Sequence, residues 1–282
     1  MRKLFFAAVA FAFILSAASC NNNNSTTSST TTTDTMQHPI SVKTENVDYT
    51  GDGVTMKGFV AYNDSLKGPL PVVLIVHEWW GLTDYPRMRA KQLAELGYLA
   101  FAIDMYGDGK TAESPDSAQK ISSPFYANLK MSQARFDAAL AKIKTFPNAD
   151  TTRIAAIGYC FGGGMVLNMA RLGEPLKGVV SFHGNLTGAP ADKNLLKAEI
   201  LVCHGDSDKF VLPAEVDAFK KQMDSIGAKY TFKHYANATH AFTNPMATEK
   251  GKKYNMPIEY NAAADTTSFN DMKEFLLRIF QK

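Results

Sequence analysis

Short, continuous apolar runs separated by segments of helical periodicity constrain this chain more than any other feature. "PVVLIVHE" (Pro71 to Glu78), "YLAFAID" (Tyr98 to Asp104), "RIAAIGY" (Arg153 to Tyr159), "KGVVSFHG" (Lys177 to Gly184) and "EILVCHG" (Glu199 to Gly205) do not alternate with polar residues. That is the pattern of strands buried on both faces of a parallel sheet. Between them, "PRMRAKQLAELG" predicts a helix stopped by Gly97, and Ser114 to Phe146 a helical stretch with a break near Pro124. Further helices are predicted from Phe161 to about Leu172 and from Pro213 to Ile226, the latter with Val216, Phe219, Met223 and Ile226 on one face. "KYTFKHY" reads as the last strand. A final helix is expected near Ser268, with Ser268 and Asp271 forming a capping box ahead of Met272, Phe275, Leu276 and Ile279. Upstream, "VKTENVDYT" and "VTMKGFVAY" flank Gly51-Asp52-Gly53 as a β-hairpin. Strand and helix alternate with no internal repeat, which predicts an α/β fold: a mostly parallel central sheet with helices on both faces. The segment from Ala241 to Asp265 is long and irregular, so part of it is expected to line a site or pack as a cap.

The amino terminus follows other rules. Arg2 and Lys3 precede an apolar run from Leu4 to Leu15 and then small residues leading to Cys20. This is the layout of a secretory signal, and the run is too short to span a membrane. Small residues running into a cysteine resemble a bacterial lipoprotein signal, which implies a signal peptide over 1–19, lipidation of Cys20, and a membrane partner reached through that lipid at the cell envelope. "NNNNSTTSSTTTTDT" cannot bury apolar surface, so 20–39 is expected to be a disordered tether and 40–282 the folded domain. About 240 residues suffice for one large domain. Loss of Arg2 and Lys3 with the leader lowers the formal net charge from +3 to +1, and no basic patch argues for nucleic acid. With Cys20 lipidated, only Cys160 and Cys203 remain, too few for a disulfide framework, although one bridge between them stays open.

"GYCFGGG" (Gly158 to Gly164) lies between a strand and a helix and matches G-x-S-x-G with cysteine in place of serine. Such a turn exposes the nucleophile and sets it at a helix N-terminus, whose partial positive charge favours thiolate. "HGDSDKFVLP" offers Asp208 on a loop after a strand, and "ATHAF" offers His240 after the last strand. Nucleophile, acid and histidine in this order are those of the α/β-hydrolases, so Cys160, Asp208 and His240 are the candidate catalytic residues. Nearby Asp206 is the better candidate for a turn or cap.

Together with "VHEWWGL", these motifs resemble the dienelactone hydrolase family, over about Val42 to Phe280. The resemblance implies the α/β-hydrolase fold, hydrolysis of a small ester or lactone through a thioester acyl-enzyme, and no cofactor. It also implies an oxyanion hole from the amides of Trp79 and Phe161, and a role for Glu78 in controlling the ionisation of the thiol. "DMYG" (Asp104 to Gly107) is similar to the family's loop after its next strand. Relatives that act on dienelactone hold its carboxylate with two arginines. Here "HAFTNP" carries Asn244 where one is expected, and "KTAESPDSAQKISSPFYANLK" contains no arginine. A neutral substrate is therefore expected to be preferred. Trp80, Tyr85, Tyr106, Phe125 and Tyr126 are the expected aromatic lining of its pocket. His77, His183, His204 and Asp206 also lie near strand ends, but no metal-ligand spacing is present and no metal is expected. Thiol-dependent peptide or thioester hydrolysis remains open on the same triad. So does a non-catalytic envelope binding protein, though it would have no need of all three residues.

Overall fold

In the computed structural model, which describes residues 40–281, the apolar runs assemble into one eight-stranded sheet. The signal peptide, Cys20 and the tether lie outside the described residues. In chain order the strands are β1 (Val42–Gly51), β2 (Val54–Asn63), β3 (Leu70–Val76), β4 (Leu99–Ile103), β5 (Ala149–Tyr159), β6 (Gly178–Phe182), β7 (Glu199–Gly205) and β8 (Tyr230–Tyr235). Their spatial order is β1-β2-β4-β3-β5-β6-β7-β8. The pairs β1–β2 and β2–β4 are antiparallel and all others are parallel. The β1–β2 hairpin turns through Asp52 (φ 52°) and Gly53 (φ 70°), the double positive φ of a type I′ turn.

Helices α1 (Asp84–Glu95) and α7 (Ala262–Phe280) cover one face, while α3 (Leu129–Ile143), α4 (Phe161–Arg171) and α5 (Pro213–Ser225) cover the other. The strand period of two divides β3 between these layers. Val72, Leu74 and Val76 pack with Phe136 and Met165, while Val73 and Ile75 pack with Leu93 and Leu276. Each such side chain contributes roughly 1.5–3 kcal/mol by leaving water. Both faces being covered explains why the runs carry no polar alternates.

Two expectations are corrected. The break near Pro124 falls later: α2 (Pro115–Ala127) contains Pro124. The chain leaves helical geometry only at Asn128, whose side chain accepts from the Met131 amide and caps α3. No capping box forms at Ser268. The alanines at 262–264 extend α7 backwards, Asn261 caps it through the Ala264 amide, and buried Ser268 donates to the Asp265 carbonyl within the helix. The irregular stretch after His240 contains one further short helix, α6 (Ala247–Tyr254).

Strand β3 lies between β4 and β5, so successive crossovers leave it in opposite directions. The crevice beyond the carboxyl ends of β3 and β5 is a topological switch point, where open α/β sheets place ligands.

Candidate active site

Cys160 is the single residue between β5 and α4, with backbone at φ 53°, ψ −114°. Such geometry costs on the order of 1–3 kcal/mol and persists only where the surroundings hold it. Two glycines make the turn possible. A Cβ on Gly158 would lie 2.1 Å from the Gly162 carbonyl oxygen, and one on Gly162 would lie 2.2 Å from that of Val76. Cys160 is partly exposed and free, so the two remaining cysteines are not bridged. Cys203 is fully buried on β7, and burial pushes its thiol up to about 12.

The loops after β7 and β8 bring Asp208 and His240 to the same end of the sheet. Asp208 Oδ2 lies 2.9 Å from His240 Nδ1. Its Oδ1 accepts from the amides of Phe210 and Val211 at 2.7 and 3.1 Å. Burial alone would raise the pKa of Asp208, but His240 and these two amides outweigh it and hold the carboxyl below its ordinary range. Nδ1 is engaged by Asp208, and the His240 ring also interacts with the Cys160 side chain. Burial opposes charge on His240, but an ionised Cys160 and the Asp208 carboxylate raise its pKa, so the ring becomes the better proton acceptor as the thiol gives up its proton. Asp206 is elsewhere, paired at the surface with His234 at 2.8 Å.

The loop after β3 supplies Glu78, Trp79 and Trp80. His77 Nε2 accepts from the Met105 amide at 3.2 Å, which leaves the proton on Nδ1 to donate to the Glu78 carbonyl at 2.6 Å. Gly81 donates to the same carbonyl at 3.1 Å. In a trans peptide the Trp79 N–H must point the opposite way. Among the described residues, neither this amide nor that of Phe161 makes a hydrogen bond. The Trp79 carbonyl accepts from Tyr106 Oη at 3.0 Å. Tyr106 is carried by the Asp104 loop, where the Asp104 carboxylate gathers the amides of Lys57, Tyr106, Gly107 and Gly109.

Glu78 is buried, and its side-chain hydrogen bond runs to Asn244 Nδ2 at 2.6 Å rather than to the thiol. Burial raises its pKa, although Asn244, Lys250 and His240 pull the other way. Lys250 stacks its ammonium 3.7 Å from the centre of the Trp80 ring, and burial lowers its pKa.

Cys160, Glu78 and His240 open onto a cavity of about 260 Å³. Trp79, Trp80 and Tyr126 line it, but three expected residues do not. Tyr106 and Phe125 pack behind it against Phe161, with ring centres 5.4 and 5.8 Å away. Tyr85 is buried under α1, where it donates to Thr243 Oγ1 at 2.6 Å and packs edge-on to Tyr159. Tyr85 shares the buried face of α1 with Arg89 and Leu93, which directs it into the core. Residues that sequence reasoning missed complete the lining: Gln119, Asn185, Phe210, Val211, Met256 and Ile258. Phe210 and Val211 directly follow Asp208, and Met256 and Ile258 belong to the irregular stretch expected to reach a site. Among the described residues, no His, Cys, Asp and Glu side chains converge to hold a metal ion.

Residues 56–280 match the dienelactone hydrolase family. Protein usf of Aquifex pyrophilus is 29% identical over 204 residues, which are 70% of this chain and 86% of that protein. The solved structure of the dienelactone hydrolase-like promiscuous phosphotriesterase P91, from metagenomic libraries, is 30% identical. It superposes with a TM-score of 0.79 over 85% of this chain and 99% of its own. That of m3DLH is 31% identical, with a TM-score of 0.80 over the same shares. The strand-turn-helix geometry at Cys160, the strand order and these likenesses agree: the chain belongs to the dienelactone hydrolase family and is a carboxylic ester hydrolase of the α/β-hydrolase fold.

Proposed function

We propose that the protein cleaves small neutral esters or lactones through Cys160, His240 and Asp208, by way of a thioester. The observation that carries this reading is the hydrogen-bonded Asp208–His240 pair beside a free thiol at the mouth of an apolar cavity. His240 Nε2 takes the Cys160 proton as Sγ attacks the carbonyl carbon. The amides of Trp79 and Phe161 stabilise the tetrahedral oxyanion, each donor contributing on the order of 3 kcal/mol. Collapse expels the alkoxide, which His240 protonates, and leaves an acyl group on Cys160. His240 then deprotonates water, which attacks the thioester, and the carboxylic acid leaves as the thiol is restored. Asp208 keeps the ring in the tautomer that both halves need.

The cavity favours a neutral substrate. Among the described residues no lysine or arginine lines it, and Asn244, in the region where relatives acting on dienelactone carry an arginine, is already bonded to Glu78. A substrate carboxylate there would lack a bidentate arginine, whose paired charge-assisted hydrogen bonds both hold and orient it. The test is kcat/KM for a carboxylated lactone or ester and for its methyl ester, with Cys160→Ala as the control. The methyl ester is expected to be the better substrate and Cys160→Ala to be inactive. Preference for the free carboxylate would overturn the specificity, and an active Cys160→Ala the mechanism.

The envelope location is proposed on the signal and Cys20 alone. Cys20→Ala is expected to release the protein from membranes or to block its processing. An unmodified mature N-terminus beyond Cys20 in a membrane-free extract would contradict it.

A further inference from the structure

Cys160 and His240 are carried by segments distant in the chain, and one buried side chain bridges those segments. His183, the first residue beyond β6, is 1% exposed. Its Nδ1 accepts from the Cys160 amide at 3.1 Å, a proton shared with the Phe182 carbonyl at 3.0 Å. Its Nε2 lies 2.7 Å from Thr243 Oγ1, three residues after His240. Since Nδ1 accepts, the ring proton sits on Nε2 and is donated to Thr243. Burial, and then the neighbouring His240, hold the pKa of His183 well below 6.5, so this tautomer persists. A second proton would set one N–H against another.

Thr243 is fixed from its far side as well. Tyr85 donates to its hydroxyl at 2.6 Å, Arg89 Nη2 donates to its carbonyl at 2.8 Å, and Arg89 is anchored by Asp265. The His183 ring stands edge-on to that of His240, with centres 5.2 Å apart. Its backbone is held in the left-handed region at φ 42°, with its amide donating to the Cys203 carbonyl at 2.8 Å. A strained residue tied at both ring nitrogens is more than filler for a core.

We propose that His183 is a positioning residue that sets the spacing between Cys160 and His240. It acts as a strut from the nucleophile turn to Thr243 in the histidine loop. This rests on Cys160 and His240 being the reacting pair. The strut carries no proton in the reaction; it fixes where the thiol meets the imidazole.

The test combines iodoacetamide labelling of Cys160, which needs no substrate, with kcat and KM on p-nitrophenyl acetate and with Tm. His183→Phe keeps a ring but neither bond. It is expected to slow labelling and kcat on the order of 10²-fold with KM unchanged, the cost of displacing reacting groups by about 1 Å. His183→Asn can still accept from the Cys160 amide and tolerates positive φ, so it recovers part of the rate. Because the strut is one unit, His183→Phe/Thr243→Val is expected to react no more slowly than the slower single variant. A folded His183→Phe that labels at the wild-type rate, or losses that multiply in the double variant, would overturn the proposal. If His183→Phe does not fold, Thr243→Val decides: wild-type labelling of that variant refutes the strut, and slowed labelling supports it. A wild-type protein that hydrolyses no ester, with the labelling differences intact, sinks the ester reading and leaves the strut standing.

Discussion

Replacing Asp208 by Asn preserves shape and removes one charge, and the surroundings dictate how the new amide must sit. The Phe210 and Val211 amides both donate to Asp208 Oδ1. In the variant they need an oxygen, so the Asn oxygen stays with them and its NH₂ group faces His240. Nδ1 of His240 must then accept, the ring proton moves to Nε2, and the ring can no longer take the thiol proton. At 2.9 Å and an effective dielectric constant of about 20, the lost carboxylate–imidazolium attraction is roughly 6 kcal/mol. At about 1.36 kcal/mol per decade, that is on the order of 10⁴-fold in kcat. The assay is kcat for p-nitrophenyl acetate beside the rate of Cys160 alkylation, with Tm to show that the variant is folded. A folded Asp208→Asn within tenfold of the wild-type kcat would refute the reasoning, because it would mean that the tautomer of His240 is not limiting.

Three further outcomes are expected. Iodoacetamide followed by mass spectrometry labels Cys160 before Cys203, which is buried with its thiol pushed up to about 12, and a slowly deacylating ester protects Cys160; the reverse order of labelling contradicts the assignment. Gly162→Ala sets a Cβ 2.2 Å from the Val76 carbonyl oxygen and 2.7 Å from that of His77, both backbone atoms that cannot swing away, and overpacking of this kind lowers stability by about 1–3 kcal/mol or more, measurable by urea denaturation. Burial keeps Glu78 protonated to higher pH in the folded chain than its ordinary 4.5, so the wild type loses stability as pH rises from there through the folded pKa; Glu78→Gln does not titrate, and its Tm should gain on the wild type across that window, whereas a constant Tm difference from pH 4 to 8 would show that the carboxyl is not held neutral.

The strands were legible because burial on both faces leaves a continuous apolar run, and here each run is short and bounded by turn residues. The turn at Cys160 was legible because only glycine fits at 158 and 162, and sterics of that kind leave a mark on the sequence. Helix ends were less so. Local capping chemistry at Ser268 and Asp271 competes with three alanines upstream, and the longer helix prevails because propensity accumulates over its length. The pocket was half legible. Trp80 and Tyr126 reach it, while Tyr85, Tyr106 and Phe125 turn into the protein because an aromatic ring carries the same apolar surface either way. Which way it faces depends on neighbours distant in the chain. The same holds for Asn244, Thr243 and His183, whose partners are 166, 158 and 23 residues away.

In the proposed reaction Cys160 carries the acyl group during turnover. Mixing the protein with a slowly deacylating p-nitrophenyl ester, quenching in acid and mapping peptides by mass spectrometry tests it directly. The expected result is an acyl adduct on the peptide containing Cys160, released by neutral hydroxylamine as a thioester should be, and absent from Cys160→Ala. Turnover at the wild-type rate with no adduct on Cys160, or with the adduct on another residue, would contradict it.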